Sequence, residues 1–153
     1  MSEKSEQFLK SQVLTRTANE QDVNFIFNSW LKSYQSSVSA KLLSPTIYFQ
    51  FHHKVIEQLL QRCAVVVACQ QQDPTQVYGY LVYEVVDDVP VIHYAYVKHA
   101  FRQMGIYSLL LAATTLSSRN QAFYTHETHT ALKLIRAKSL PMVYNPYLAY
   151  GVK

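Results

Sequence analysis

The chain has 153 residues, enough for one domain with a buried core, and it is 49% hydrophobic but only 16% charged, which excludes a disordered polymer. No apolar run reaches the roughly 18 residues a membrane span needs, and the first ten residues are too polar for a signal peptide, so a cytoplasmic protein with no membrane partner is expected. Fourteen basic against ten acidic side chains give +4 without any Lys/Arg run, a pattern that fits a small anionic cofactor better than nucleic acid.

Residues 1–10 read as a polar, flexible arm at the head of a single domain spanning 1–153. Gln12 to Arg16 reads as a first strand. Thr17-Ala18-Asn19-Glu20 has capping-box spacing, and Val23, Ile26, Phe27, Trp30, Leu31 and Tyr34 recur at helical intervals. Gln35 to Leu43 reads as a loop. Ser44-Pro45 then supplies an N-cap and a first-turn proline for a second helix, with Tyr48, Phe51, His52, Val55, Ile56, Leu59 and Leu60 on its buried side. His52 and His53 are adjacent and point apart, so a metal pair is not expected and both read as structural or solvated. Cys63 and Cys69 lack a second pair at metal spacing and read as core thiols; no metal is expected.

Ala64 to Cys69, Val77 to Val86 and Val89 to Lys98 read as successive antiparallel strands joined by turns at Asp73-Pro74 and Asp87-Asp88. Strict alternation on the last of them puts His93, Ala95 and Val97 on one face and Ile92, Tyr94 and Tyr96 on the other. A helix over 105–118 follows, then a strand at 122–126, which after a helical crossover should lie parallel to its neighbour. The spacing predicts a further helix over 128–138, and residues 140–152 must supply any closing strands.

The stretch Val97-Lys98-His99-Ala100-Phe101-Arg102-Gln103-Met104-Gly105-Ile106-Tyr107 joins a strand to a helix through a tight turn. Free N–H groups of a first helical turn, a glycine and an arginine suit a phosphate or pyrophosphate. The register resembles the acyl-CoA-binding motif of the GNAT acyltransferase superfamily, V-x-P-x-x-[RQ]-G-x-G-x-[GA]. Val97, Arg102, Gly105 and Ile106 occupy their expected places. His99 stands where proline is usual, Gln103 where the first glycine is usual, and Tyr107 where a glycine or alanine is usual. Gly79-Tyr80 and the strand, Arg-Thr-Ala and helix order at the N-terminus extend the likeness. Ser29 to Tyr34, His93-Tyr94 and Tyr96 to Lys98 also look like GNAT-like proteins of tailed bacteriophages.

The resemblance implies an α/β fold of GNAT type. Its mixed, mostly antiparallel sheet would carry a splayed parallel strand pair and be flanked by helices on both faces. It implies acetyl-CoA as co-substrate, held by Tyr96, Val97 and the turn Arg102, Gln103, Met104, Gly105, Ile106 and Tyr107, and an amine acceptor, small molecule or protein, beside the first two helices. A homodimer is compatible with it. Its general acid, a helix tyrosine, falls on Ile135 here, which leaves Tyr124 or Tyr144 as candidate acids. His93, Glu84, His126 and Glu127 are the candidate bases, His126 and Glu127 standing at the C-terminal mouth where parallel strands place ligands. Each also has a structural reading: a core imidazole for His93, a solvated carboxylate for Glu84, and a helix cap for 126–129. Two functions follow, transfer of an acetyl group from acetyl-CoA to an amine, or a fold retained as a catalytically degenerate binding or assembly module.

Overall fold

The computed structural model describes residues 3–114 and 121–151. Six strands form one open sheet in the order β1-β2-β3-β4-β5-β6. They are β1 (Val13–Thr17), β2 (Ala64–Gln70), β3 (Val77–Val86), β4 (Val89–Val97), β5 (Ala122–Tyr124) and β6 (Met142–Tyr144). The first four pair antiparallel, as the short turns between β2, β3 and β4 require, while β4–β5 and β5–β6 are parallel. Six helices complete the described fold: α1 (Glu3–Gln12), α2 (Val23–Tyr34), α3 (Val38–Lys41), α4 (Pro45–Arg62), α5 (Ile106–Ala112) and α6 (His129–Ala137).

Two apolar layers flank the sheet. On one face Ile26 and Trp30 of α2 and Tyr48, Ile56 and Leu59 of α4 cover Val67, Tyr80, Val82 and Tyr94. On the other, Phe8 and Leu9 of α1 and Ile106 and Leu110 of α5 cover Val13, Ala68, Leu81, Ile92 and Val97. The sequence places two helices on each face through its stripes of apolar residues at helical spacing, and burial of those stripes holds the layers together.

Several expectations are corrected. Residues 1–10, read as a flexible arm, contain most of α1, whose Phe8 ring stacks on Phe101 at 6.2 Å and tilts against Tyr78 at 5.8 Å. The capping box sits two residues later than read: Asn19 Oδ1 accepts from the Gln21 N–H, and the Asn19 N–H donates to Asp22 Oδ2. Residues 38–41 of the expected loop form α3, capped by the Ser37 hydroxyl. Phe51, read as buried, is 52% exposed. Helix α5 is described over Ile106–Ala112; residues 115–118 of the expected helix, and the break expected at 117–120, lie outside the described residues.

Strand β4 does not alternate strictly. Val82 faces Tyr94 but Tyr83 faces Ile92, so His93 is an extra residue in β4. Such a bulge shifts the faces by one: Ile92 joins Ala95 and Val97 on the α5 side, and His93 turns to Glu84 on the other side.

Candidate functional site

Parallel pairing of β4 with β5 covers only Val91↔Phe123 and Ile92↔Tyr124, followed by the Thr125 N–H donating to the Ile92 carbonyl. Beyond that point the strands part. The Lys98 N–H bonds the Tyr78 carbonyl on the β3 side, so the alternate groups, the Val97 N–H and C=O, face the gap.

At the end of the gap lies a cavity of about 670 Å³ lined by Val97, His99, Phe101, Arg102, Gln103, Gly105, Ile106, Tyr107 and Ser108 on one side and by Thr130, Lys133, Leu134 and Ala137 of α6 and its C-cap Lys138 on the other. Its cationic groups come from two elements. Lys138 Nζ donates to the Ser108 hydroxyl at 2.7 Å. Arg102 Nε donates to the Val97 carbonyl at 2.9 Å, leaving its terminal amino groups without a partner among the described residues. Of the cofactor residues read from the sequence, Tyr96 and Met104 do not line the cavity. Tyr96 packs against Phe25 and Tyr80 instead.

The turn keeps its glycine-like path with one glycine. Gln103, where the motif has glycine, has φ +64°, and Gly105 has φ +86° at the N-cap of α5. Gly79 is required for a different reason, since a Cβ there would lie 2.4 Å from the Tyr96 carbonyl oxygen across the β3–β4 pair.

Tyr107 is half-buried and lines the cavity. Its ring packs with the α5 side of the core, and burial pushes its hydroxyl upward against the opposing pull of Arg102 and of the Val97 backbone N–H. The Val97 carbonyl at the exposed edge of β4 is capped by the Arg102 side chain.

Three of the four candidate bases fall into one hydrogen-bonded line. Glu84 Oε2 meets His93 Nε2 at 2.6 Å, His93 Nδ1 meets Thr125 Oγ1 at 2.9 Å, Thr125 Oγ1 meets His126 Nδ1 at 2.9 Å, and His126 Nε2 meets His52 Nε2 at 2.9 Å. Burial holds His126 far below the usual imidazole range, with His52 and His93 adding to the effect, and lowers His52 to about 4. Burial also keeps His93 low, despite the opposing pull of Glu84. For Glu84 burial acts upward, but the His93 hydrogen bond and the charges of His93 and Arg62 outweigh it and hold the carboxyl below its ordinary value.

An aromatic cage surrounds the line. Trp30 stacks on Tyr94 at 4.9 Å, Trp30 and Tyr34 present themselves edgewise to His126 at 5.1 and 4.7 Å, and Tyr34 and Tyr48 stack on His52. Glu127 and Tyr144 stand apart. Glu127 is half-buried near Tyr124 and makes no hydrogen bond among the described residues, and Tyr144 packs on Tyr124 at 5.4 Å. Ile135 packs into the apolar layer beneath α6.

Sequence reasoning set His52 aside and missed Thr125, Cys63, Arg62, Lys133 and Lys138. A histidine in the middle of the apolar stripe of α4 was the available signal for His52; nothing in the sequence singled out Thr125. Cys63 Sγ lies 3.4 Å from Glu84 Oε2, and Cys63, Glu84 and His93 converge within 4.8 Å. Arg62 contacts that same oxygen at 3.2 Å, and the His93 proton is aimed at it, so the carboxylate charge is already matched.

The open sheet with its splayed parallel pair and helices on both faces is the GNAT fold. No protein-family profile matches the sequence, and no curated protein matches it. Solved structures do share the fold. A histone acetyltransferase HPA2 and related acetyltransferase from Corynebacterium glutamicum superposes with a TM-score of 0.60 at 11% identity, covering 83% of each chain. YjaB from Escherichia coli, in its apo form, gives 0.57 at 13% identity over 81% of this chain and 79% of its own. A GCN5-related glucosamine N-acetyltransferase region in a fungal multi-domain GH3 β-N-acetylglucosaminidase gives 0.52 at 14%, over 84% of this chain and 16% of that one.

Proposed function

We propose that this protein is an acyl-CoA-dependent N-acyltransferase that moves an acetyl group from acetyl-CoA to an amine. The observation that carries the reading is the β4 edge at Val97, without a strand partner and clamped at its carbonyl by Arg102, opening onto a cavity walled by Arg102, Lys133 and Lys138. An extended amide-bearing chain can satisfy the edge, and cationic groups from two elements can hold a diphosphate beyond it. The amine's proton has a receiver in the line of groups from His52 to Glu84.

Thermal denaturation with and without acetyl-CoA tests this. At a hundredfold excess over the dissociation constant the ligand adds about 2.7 kcal/mol to stability. An unchanged Tm at millimolar acetyl-CoA would overturn the reading. Arg102→Ala weakens binding, because it removes both the charge and the clamp on the Val97 carbonyl.

One observation favours a second reading, a degenerate module without chemistry: the Tyr107 side chain lines the cavity, with its hydroxyl drawn by the Val97 N–H that an incoming carbonyl would use. If the ring keeps the ligand out, the unaltered protein does not respond to acetyl-CoA and Tyr107→Ala does.

A further inference from the structure

The line from Glu84 to His52 has a fixed direction. An ionised Glu84 carries no proton, so His93 Nε2 must donate to it and the neutral ring must accept at Nδ1. The Thr125 hydroxyl therefore donates to His93 and accepts from His126 Nδ1–H. His126 Nε2 is then bare and accepts from His52 Nε2–H. Both ring nitrogens of His93 and His126 are engaged, and His52 uses Nε2, so His52 Nδ1 is the ring nitrogen left without a partner among the described residues.

The two ends differ in what surrounds them. At Glu84 the receiving oxygen is held by Arg62, by the Cys63 thiol and by His93, and the carboxylate side chain is 20% exposed. At His52, Tyr34 of α2 and Tyr48 of α4 stack on the ring at 4.9 and 5.3 Å, and His126 is the only titratable group hydrogen-bonded to it among the described residues. His126 itself is 5% exposed and cannot exchange a proton with a ligand directly.

We infer that His52 Nδ1 is the point at which a substrate proton enters a relay through His126, Thr125 and His93 and is stored on Glu84. The inference rests on the acyltransferase reading for the identity of the substrate, but not for the wiring. As the amine nitrogen bonds to the thioester carbon, its proton passes to His52 Nδ1. His52 then gives its Nε2 proton to His126, His126 its Nδ1 proton to Thr125, Thr125 its hydroxyl proton to His93, and His93 its Nε2 proton to Glu84. Every ring ends neutral, and the stored proton is a carboxylic acid. When the C–S bond breaks, the same hops run backwards and His52 Nδ1 returns the proton to the departing thiolate. The amine's proton finishes on the thiol, the relay regains its starting direction without turning a ring, and no separate acid is needed where Ile135 stands.

Burial explains why a relay is used in place of one histidine. A lone imidazolium at His52 or His126 would be a cation in an aromatic cage, which the surroundings disfavour. Passing the charge change to Glu84 neutralises a 20% exposed carboxylate instead of creating a cation in the cage, at the cost of its attraction to Arg62.

Two measurements test the inference. Nitrogen-15 NMR of the imidazoles at neutral pH reads the wiring without any turnover: the expected pattern is Nε2–H at His52, Nδ1–H at His126 and Nε2–H at His93. An Nδ1–H tautomer at His52 overturns it. The second measurement is release of free thiol from acetyl-CoA with a panel of primary amines. His52→Gln and Thr125→Val should each lower kcat by about 10²-fold with the KM for acetyl-CoA unchanged, and Thr125→Ser should restore it. Wild-type kcat in Thr125→Val overturns the relay, since valine keeps the packing and removes only the hydroxyl. The expected tautomers in a protein that binds no acetyl-CoA would remove the acyltransferase reading and leave the wiring standing.

Discussion

Gln103 and Tyr107 sit at the two motif positions where a side chain replaces the expected absence of one, and each has its own physical consequence. Gln103 holds φ +64°, a conformation that costs an L-residue roughly 1–2 kcal/mol and glycine almost nothing. Gln103→Gly should therefore raise stability by about 0.5 kcal/mol after glycine's greater loss of chain freedom on folding, read by urea denaturation. A less stable variant would show that the Gln103 side chain contributes contacts that outweigh the backbone. Tyr107 acts on binding. In Tyr107→Phe the ring stays while the hydroxyl that stands against the Val97 N–H is removed. A ligand carbonyl then meets that N–H without a competing oxygen, so the variant should bind acetyl-CoA more tightly by calorimetry. Equal affinity would mean that the ligand does not use the Val97 amide.

At the scale of elements, the strands and helices were largely legible because their signals are local. Strand-forming runs between turn residues marked β3 and β4, a run of valines marked β2, and the Ser44-Pro45 cap placed the start of α4 correctly. What could not be read was set by contacts across the chain. The segment 3–12 has a polar composition, yet Phe8 finds Tyr78 and Phe101, far away in sequence, and becomes part of a helix packed on the sheet. The bulge at His93 has no sequence mark of its own, and it moved His93 from the α5 face to Glu84. The relay joins β3, β4, the end of β5 and α4, so sequence could nominate Glu84, His93 and His126 separately but could not show that Thr125 and His52 link them. The Phe8 stack also ties α1 to the turn 99–105 that walls the cavity. Phe8→Ala should cost about 2 kcal/mol of stability, the loss of a half-buried ring, and should also weaken acetyl-CoA binding by loosening that turn. A stability loss with unchanged affinity would show that the turn holds its path without α1.

The whole molecule carries an acid sensitivity that follows from its buried histidines. His52 falls from its usual 6.5 to about 4 on folding, and His126 is held well below its ordinary value, both because burial penalises the charged ring. Between pH 6.5 and 4 the unfolded chain binds protons at these positions that the native protein does not. Stability is therefore complete above about pH 6.5 and declines as the pH falls through that window; His52 alone is worth on the order of 3 kcal/mol at its lower end. The ion pair between Arg16 and Asp22, bonded at 2.6 and 3.0 Å, acts in the same direction but at lower pH, since the guanidinium holds the Asp22 carboxyl below its ordinary value. Its contribution persists through the histidine window and is lost only in stronger acid. Urea denaturation at pH 7.5 and pH 5.0 separates the two: the midpoint should fall markedly between these values, and His52→Phe, which keeps the ring stack on Tyr34 and Tyr48 while removing the titrating group, should reduce that fall by the share His52 contributes. A midpoint equal at both pH values would mean that the histidines protonate in place, and the cage around His126 would then have to be wetter than its burial indicates.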